Sequence, residues 1–443
     1  MSAVVNPVCR PTVAAPEWEP LPAGDLEVLG VPGQINLDYA ATAPCLKAAA
    51  DAVTELLPWY GSVHRGAGAL SQRCTLEYER ARQTVGDFIG ARAGDHVVFT
   101  RNTTDSLNIL AHALPAGTTV ITFASEHHAN LLPWHRPIRL PVPGSRWEAV
   151  RSLAAALAEV KREPKSSIPG GPPTPRTRQG EARHRPTGPV LVAVTGASNV
   201  TGEIWPVAEM AFIAHRHGAR IAVDAAQLAP HVPIDLSELD IDYLALSGHK
   251  LYAPFGTGVL AGRSDWLDAA DPLTKGGGAS ARVGDATHDI RWTTGPARHE
   301  AGTPNLLGAA ALAKVCATLD AADRDALHRR EQNLLARLRS GLSTIDGVEE
   351  LRTFEADAPR IGVVSFAVRN RDSSEIAQVL ARKHSIGVRD GLFCAHPLAR
   401  RLLGEASVRA GWDGVPATAL RASIGLGTTE SDVDALVTAL AAL

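Results

Sequence analysis

Two residues in the middle of the chain have types and positions suited to covalent chemistry. Lys250 closes the segment 247–250 (SGHK), directly after the apolar run 243–246, and Asp224 ends the run 220–223 in the same way. A lysine amine forms a covalent bond with an aldehyde, and a carboxylate opposite it keeps a ring nitrogen protonated. Each residue alone also fits an ordinary role, as a surface lysine in a turn or as the N-cap of a helix. Together they favour a cofactor that carries an aldehyde.

Pyridoxal 5'-phosphate (PLP) has needs that the surrounding sequence meets. It requires a lysine for its aldehyde, a carboxylate for its pyridine nitrogen, donors for its phosphate and a flat group against its ring. The segment 102–105 (NTTD) opens an apolar-periodic stretch, and a helix N-terminus attracts phosphate through its dipole and free N–H groups. His127 follows the run 119–123 and is placed to stack on the ring and move protons. The two segments also fit a helix cap and a surface histidine, but with Lys250 and Asp224 they predict a PLP site.

The elements that must position these residues alternate along the chain. Between about residues 46 and 265, β-rich runs alternate with amphipathic stretches, which predicts an α/β fold with a mostly parallel sheet. The runs 190–195 (VLVAVT) and 220–223 (RIAV) are predicted as buried strands with a helix between them. Functional side chains of such sheets lie just past the carboxyl ends of the strands. We therefore expect Asp224 and the segment 247–250 to meet at one crevice.

Composition divides the chain into a large and a small domain. We predict an N-terminal arm over 1–34, a large domain over 35–305 and a small α+β domain over 306–443, where the chain becomes rich in alanine and leucine. The segment 161–189 interrupts the pattern with seven prolines and several arginines. That composition predicts a mobile surface insertion rather than a docking site.

Bulk properties exclude several classes of protein. The 443 residues are 45% hydrophobic and 21% charged, and no apolar run is long enough to span a membrane. The net charge of −3 provides no overall basic field for nucleic acid. The first residues lack an export-signal pattern, and the five cysteines fit neither a disulfide framework nor a zinc site. We expect a cytoplasmic protein that binds neither nucleic acid nor membrane and uses no metal.

Several motifs, in this order along the chain, resemble those of class V aminotransferase-fold enzymes. These are fold type I PLP enzymes, and the likeness is greatest to cysteine desulfurases and selenocysteine lyases. The resemblance implies a large PLP-binding domain with a mostly parallel, seven-stranded sheet and a smaller C-terminal domain. It rests on the segments 36–42 (NLDYAAT), 63–66 (VHRG), 103–104 (TT), 126–130 (EHHAN), 198–202 (SNVTG), 224–227 (DAAQ), 247–250 (SGHK), 300–305 (EAGTPN), 388–389 (VR) with 394–395 (CA), and 421–423 (RAS).

The resemblance implies roles for individual residues. Lys250 is expected to bind the cofactor aldehyde covalently, Asp224 to pair with the pyridine nitrogen, and His127 to stack on the ring and assist catalysis. Arg421 is expected to grip the carboxylate of an amino-acid substrate with a bidentate fork, a task that lysine performs poorly. The other implied residues are Asn199 and Gln227 beside the ring oxygen, Thr103, Thr104, Ser247 and His249 around the phosphate with Thr303 of the neighbouring subunit of a homodimer, and Arg389, Ala40 and His64 on the substrate side.

Cys394 bears on the narrower function. In desulfurases a cysteine at this position attacks the sulfur of L-cysteine, which leaves alanine and a persulfide for a sulfur-acceptor protein. The nucleophile is a thiolate, which Arg389 and an open loop would favour. A cysteine of this kind is also commonly a small buried hydrophobic residue, and the sequence leaves both interpretations open.

This chain also departs from the desulfurase pattern. Leu392 and Phe393 stand where the most similar desulfurases carry histidines, and an apolar pair disfavours a charged thiolate. Gly68, Ala279 and Gly196 likewise replace residues usual in the family. The cofactor motifs are thus intact while the substrate side is altered. The alternatives are an aminotransferase, epimerase or β-lyase acting on another amino acid, and a non-catalytic scaffold that retains the fold.

Overall fold

The computed structural model describes residues 26–161, 188–286 and 288–443. Across these ranges the strands are β1 Ile35–Asn36, β2 Asp95–Thr100, β3 Thr119–Phe123, β4 Ile138–Leu140, β5 Val190–Thr195, β6 Arg220–Asp224, β7 Tyr243–Ser247, β8 Gly258–Arg263, β9 Ser280–Val283, β10 Ile290–Trp292, β11 Val348–Glu350, β12 Val363–Val368, β13 Ile386–Gly387, β14 Arg389–Gly391 and β15 Ala419–Ser423. The α-helices are α1 Lys47–Leu56, α2 Ala69–Phe88, α3 Thr103–Ala113, α4 His128–Leu131, α5 Arg146–Lys161, α6 Val207–Arg216, α7 Ser264–Ala269, α8 Leu306–Asp320, α9 Arg324–Ser343, α10 Ser373–His384, α11 His396–Ala410 and α12 Glu430–Ala441.

Seven of the strands form one central sheet in the order β2-β8-β7-β6-β5-β3-β4. Neighbours from β7 to β4 run parallel, whereas β8 runs antiparallel to both β7 and β2. Strands β5 and β7 are buried at every position, because helices cover both faces of the sheet, and their sequences are accordingly almost wholly apolar. The predicted mostly parallel, seven-stranded sheet is confirmed, and the predicted strands 190–195 and 220–223 match β5 and β6 within one residue.

A second sheet lies in the C-terminal part of the chain. It is antiparallel, with the order β11-β12-β15-β14, and α9, α10 and α12 share one core with it around Leu338, Phe366 and Leu436. This is the predicted smaller α+β unit. Helix α8, the first helix after the predicted domain boundary, packs on α1 and α2 and buries Leu312 and Val315 in the core of the central sheet. The boundary itself stays a prediction.

The segment after β1 connects the two sheets. Strand β1 pairs in parallel with β13, and the backbone N–H of Ala40 donates to the hydroxyl of Ser423 on β15 at 2.9 Å. Three residues further on, the N–H of Ala43 donates to the carbonyl of His249 at 2.8 Å, in the loop after β7. The segment therefore crosses from the small sheet to the carboxyl end of β7, which is where the predicted site lies.

Two of the sequence predictions concern parts of the chain that are only partly described. Residues 1–25 of the predicted arm lie outside the described residues, as does the predicted insertion 161–189 apart from its ends. None of the helices in the described ranges combines the length and the apolar character needed to cross a bilayer.

A buried ion pair links the turn after β5 to the segment before β12. Glu203 and Arg360 are 0% and 3% exposed, and a guanidinium Nη2 of Arg360 donates to Glu203 Oε1 at 3.0 Å. The backbone N–H groups of Thr353 and Phe354 donate to the same carboxylate oxygen at 2.9 Å. Removing one member of such a pair leaves the other charge buried without a partner. The resulting loss of stability exceeds the net stabilisation that the intact pair provides.

We expect the substitution Arg360→Met to lower the free energy of unfolding by about 3–5 kcal/mol, because Glu203 is left buried without its cation. Replacing both residues, in Glu203→Gln with Arg360→Met, should recover part of that loss. Urea unfolding measures the effect, and Arg369→Met is the control because its partner Asp346 is 93% exposed. Equal urea midpoints for the Arg360 and Arg369 variants would show that the buried pair does not hold the two units together.

Candidate active site

The site lies at the carboxyl ends of three adjacent strands. Thr195 ends β5, Asp224 ends β6 and Ser247 ends β7, and Lys250 follows three residues later. Parallel strands end at the same edge of a sheet, and this edge is where α/β sheets bind ligands. The structure therefore brings Asp224 and Lys250 together, as the sequence predicts for their positions.

Lys250 is half-buried after β7, and its amine is a weaker base than that of an ordinary lysine. Burial lowers the pKa of Lys250 from 10.5 to about 8. The positive charge of Arg421 lowers it further, while the negative charge of Asp224 acts in the opposite direction. A neutral amine is the form that attacks a carbonyl or removes a proton. Near pH 8 a large fraction of Lys250 is therefore ready to react, whereas an ordinary lysine is almost fully protonated.

This pKa predicts how fast the free amine reacts as the pH changes. Below pH 8 Lys250 is protonated and unreactive, and its reactivity should rise through pH 8 and level off well below pH 10.5. Reductive methylation of the cofactor-free protein, followed at the Lys250 peptide by mass spectrometry, measures the profile. In Asp224→Asn the midpoint should move to lower pH, because the charge that favours the ammonium form is gone. A midpoint near 10.5 in the unsubstituted protein would contradict the assigned environment.

Asp224 is 5% exposed and has few partners. Among the described residues, one hydrogen bond to its carboxylate is found, from the N–H of Ala226 to Oδ1 at 3.0 Å. Burial raises the pKa of Asp224, and the nearby Lys250 amine lowers it. A buried carboxylate with unfilled acceptor capacity suits a protonated ring nitrogen, which would supply the missing cation. The carboxylate at this position thus fits the pyridine nitrogen of PLP.

A second carboxyl group, which the sequence analysis did not single out, lies behind Asp224. Glu126 is fully buried, and it accepts hydrogen bonds from the N–H of Thr195 at 3.2 Å and from Nδ2 of Asn130 at 2.7 Å. Burial and the charge of Asp224 raise the pKa of Glu126 to about 8. Glu126 is therefore mainly neutral at pH 7. The motif that contains His127 could have drawn attention to Glu126. Its burial beside Asp224, however, depends on the packed structure and is not visible in the sequence.

His127 presents a neutral imidazole to the same pocket. Its Nδ1 accepts the N–H of Ala129 at 3.1 Å as the N-cap of α4, so the ring proton resides on Nε2. Burial lowers the pKa of His127 to about 3, and the charge of Lys250 adds to the shift. The structure thus places an uncharged, flat ring near Lys250, and its stacking role stays a prediction.

The first turn of α3 meets the lysine loop through hydroxyl groups. The N–H of Thr103 donates to Ser247 Oγ at 2.8 Å, and the two hydroxyl oxygens are 2.7 Å apart. Thr104 is exposed in the same turn. His249 lies next to this cluster, with its Nδ1 at 3.2 Å from the hydroxyl of Thr42. An eleven-residue helix whose N-terminus carries hydroxyl groups fits an anion such as phosphate.

On the small-domain side, Arg421 points its guanidinium toward the pocket. It is 3% exposed, and it donates to the carbonyl of Asn199 at 3.0 Å and to Asp38 Oδ1 at 3.1 Å. No partner for its Nε is found among the described residues. Arg389 lies directly opposite Arg421 in the pairing of β14 with β15, so the two side chains share one face. This pair of guanidinium groups suits a carboxylate, and Asp38 is a participant that the sequence analysis did not assign.

Cys394 sits on a strained, exposed turn between β14 and α11. Phe393 and Cys394 both have left-handed backbone conformations, with φ of 53° and 52°, which side-chain-bearing residues rarely adopt. Asn199 Nδ2 donates to the carbonyl of Phe393 at 2.7 Å, and the N–H of His128 donates to the carbonyl of Cys394 at 2.8 Å. The alternative interpretation of Cys394 as a buried core residue is wrong, because the side chain is exposed. The guanidinium of Arg421 lies 5.1 Å from the centre of the Phe393 ring, so the turn that carries Cys394 borders Arg421.

The remaining predicted residues fall into two groups. Gln227 and Ala40 are joined by a hydrogen bond, which Gln227 Nε2 donates to the carbonyl of Ala40 at 2.8 Å. His64 lies elsewhere, with its Nε2 at 2.7 Å from Glu79, and Thr303 is exposed in the loop before α8. Within one chain, neither His64 nor Thr303 is brought to Lys250 by a hydrogen bond of the described residues. The roles predicted for these four residues stay predictions.

One departure from the family pattern has a steric reason. A Cβ atom at Gly196 would lie 2.8 Å from Leu228 Cδ2 and 3.1 Å from Leu228 Cβ. A larger residue there would force Leu228, a core residue, to move. The small size of Gly196 thus fits the packing of Leu228 against this turn.

Comparison with known proteins gives one consistent result. Residues 35–139 and 180–436 match the family model described as aminotransferase class-V. A probable cysteine desulfurase of Halalkalibacterium halodurans is 33% identical over 425 residues, which cover 95% of each chain. Two solved structures are also similar: the cysteine desulfurase CsdA (S-sulfonic acid) of Escherichia coli has a TM-score of 0.72 at 31% identity, and the apo cysteine desulfurase of Thermococcus onnurineus has a TM-score of 0.75 at 30% identity. Each covers 92% of this chain, and the match covers 94% of each of those chains.

The family match and the relatives span nearly the whole chain, so they include both the strand ends that carry Asp224 and Lys250 and the turn that carries Cys394. The residues converge in one pocket, as the resemblance implies. This chain belongs to the aminotransferase class-V family.

Proposed function

We propose that this protein is a PLP-dependent cysteine desulfurase, which converts L-cysteine to L-alanine and passes the sulfur to Cys394 as a persulfide. The observation that carries the proposal is the exposed thiol of Cys394, anchored on a strained turn at the pocket of Lys250 and Arg421. The similarity to cysteine desulfurases over most of the chain supports it.

The pocket has a residue for each part of the cofactor. PLP, when bound, supplies an electron sink that stabilises negative charge on the α-carbon of an amino acid. Lys250 would hold its aldehyde and Asp224 its ring nitrogen. His127 would lie against the ring, and the N-terminus of α3 with Thr104, together with Ser247 and His249 from the lysine loop, would hold its phosphate.

The substrate is oriented by the small-domain side of the pocket. The fork of Arg421, with Arg389 beside it, would bind the α-carboxylate of L-cysteine and so direct the α-carbon toward Lys250. The neutral amine of Lys250 would take the α-proton, a role that its lowered pKa favours. His127 is uncharged and has its proton on Nε2, so it would offer a flat face and a hydrogen-bond donor beside the ring.

Cys394 performs the sulfur transfer. Its thiolate would attack the sulfur of the bound substrate, so that an S–S bond forms while the Cβ–S bond breaks. The electron pair of the broken bond stays with the substrate, and the carbon that loses sulfur gains a proton. The products are alanine and a persulfide on Cys394, which an acceptor protein or a thiol can remove.

A homodimer is the proposed functional unit. Thr303 and His64 lie on the surface of the single chain, and several large apolar side chains near His64 are exposed: Leu57, Trp59, Tyr60, Leu70 and Leu76. Apolar surface of this kind is typical of an interface. A partner subunit would bring its Thr303 to the phosphate position, in the cytoplasm that the sequence predicts. Light scattering should give the mass of two chains, and a fully active monomer would contradict the proposal.

The decisive experiment on function measures the products formed from L-cysteine. With a thiol reductant, the purified protein should release alanine and sulfide in equal amounts. Cys394→Ala should lower that rate by about 10²-fold or more, because the nucleophile is lost while the cofactor site is intact. Cys45→Ala is the matched control, since Cys45 is a partly exposed thiol outside the pocket. Unchanged alanine release in Cys394→Ala would exclude sulfur transfer through Cys394, and pyruvate with ammonia as products would favour a β-lyase.

A further inference from the structure

Two histidines from different elements meet at the turn that carries Cys394. His128 is the first residue of α4, and its backbone N–H donates to the carbonyl of Cys394 at 2.8 Å. His396 is the first residue of α11, two positions after Cys394. The two imidazole rings lie 4.5 Å apart between centroids, at 72° in an edge-to-face contact. The imidazole pair therefore lies at the same turn as the exposed Cys394, joined to its backbone through His128 and two residues from it through His396.

The backbone holds this arrangement in place. Asn199 fixes the carbonyl of Phe393, and the N–H of Ala395 donates to the carbonyl of Leu392 at 3.0 Å. Two consecutive left-handed residues would relax without such anchors, because the conformation costs energy for residues other than glycine. The backbone of the turn is thus held on both sides of Cys394.

The pair has the capacity to accept one proton. Burial lowers the pKa of His128, and the charge of a protonated His396 lowers it further. Repulsion between two imidazolium rings 4.5 Å apart disfavours double protonation. His396 is exposed, so the pair is in contact with solvent.

We propose that His128 and His396 act as one base, which takes the thiol proton of Cys394 and prepares it for sulfur transfer. The inference rests on the proposed function. The positions before Cys394, where the resemblance leads one to expect histidines, hold Leu392 and Phe393. The structure supplies imidazoles from the other side of the turn instead.

The step is balanced in atoms and electrons. Cys394 loses its proton to the imidazole pair, and its sulfur lone pair forms the new S–S bond. The Cβ–S bond of the substrate breaks, and one proton is added at the carbon that loses sulfur. L-Cysteine and the free thiol on one side therefore contain the same atoms as alanine and the persulfide on the other, with no added oxidant or reductant.

Other charged groups also face the turn. Lys250 lies in the same site, Arg421 stacks on the ring of Phe393, and Arg389 lies on the preceding strand. His127 precedes His128 in the chain, and Arg400 Nε donates to the carbonyl of His396 at 3.2 Å. All five side chains are unchanged in variants of His128 and His396, so a comparison among those variants isolates the imidazole pair.

The test is the alkylation rate of Cys394 by iodoacetamide, followed by peptide mass spectrometry on the intact, cofactor-loaded protein from pH 6 to 9.5. Only the thiolate reacts, so the rate reports proton removal without any turnover. In His396→Gln the rate at pH 7 should fall about tenfold, as for a shift of the profile by one pH unit. His128→Gln should act in the same direction, and the double variant should lose less than the sum of both effects, because the rings act as one group.

His384→Gln is the matched control, an exposed histidine in the last turn of α10, and it should leave the rate unchanged. Added imidazole should restore part of the rate in His396→Ala. If the His396 and His128 variants match the control, or if their rates fall equally at every pH without a shift of the profile, the proposal is wrong. Alanine release from L-cysteine is measured in parallel. A histidine-dependent thiol in a protein that releases no alanine would overturn the proposed function but support the imidazole pair.

Discussion

Replacing Lys250 with alanine should lower kcat for release of alanine from L-cysteine by about 10³- to 10⁴-fold. The substitution removes the amine that holds the cofactor aldehyde and also the base that takes the α-proton. No other amine is found beside Asp224 among the described residues to replace it. The visible absorbance that a lysine-bound PLP gives should disappear as well.

The control for this prediction is Lys275→Ala. Lys275 is 58% exposed and paired with Asp271, so its loss should change neither absorbance nor turnover. Added ethylamine should restore some turnover to Lys250→Ala, because a small amine can enter the vacated position and accept the proton. Turnover in Lys250→Ala within tenfold of the unsubstituted protein would show that another group is the base.

The second large effect is expected at Arg421. Arg421→Ala should lower kcat/KM for L-cysteine by about 10²- to 10³-fold, because a carboxylate that enters the pocket would lose a buried, bidentate partner. Arg421→Lys should recover little of this loss, since an ammonium group cannot form the fork. Arg389→Lys should have a smaller effect, because Arg389 is exposed.

Arg421 also donates hydrogen bonds to Asn199 and Asp38, so its loss could act by disturbing the structure. A comparison of two substrates separates that structural effect from binding of the carboxylate. L-Cysteinamide lacks the negative charge that the fork would bind. The unsubstituted protein should prefer L-cysteine over the amide, and in Arg421→Ala that preference should be lost. If activity falls while the preference stays the same, Arg421 supports the pocket without binding the carboxylate.

Strands of the central sheet could be predicted from the sequence because a strand buried on both faces is a short, continuous apolar run. Strands β5 and β6 are short apolar runs between turn residues, and they match the prediction within one residue. The direction of β8 was not predictable, because an antiparallel strand that is buried on both faces has the same composition as a parallel one.

Residues of the site that act through distant partners were harder to predict. The bond between Asp38 and Arg421 joins positions 383 residues apart, and no local pattern indicates it. Glu126 lies in a predicted motif, but its raised pKa depends on burial beside Asp224, which only the packed structure shows. The contact between His128 and His396 has the same origin, since it forms where α4 and α11 meet.

The central claim is that Lys250 holds PLP opposite Asp224, and trapping the bound cofactor tests it most directly. Borohydride reduction of the purified, PLP-loaded protein, followed by digestion and mass spectrometry, should place the phosphopyridoxyl group on the peptide that contains Lys250 and on that residue alone. A label on another lysine, or no label in protein saturated with PLP, would contradict the account.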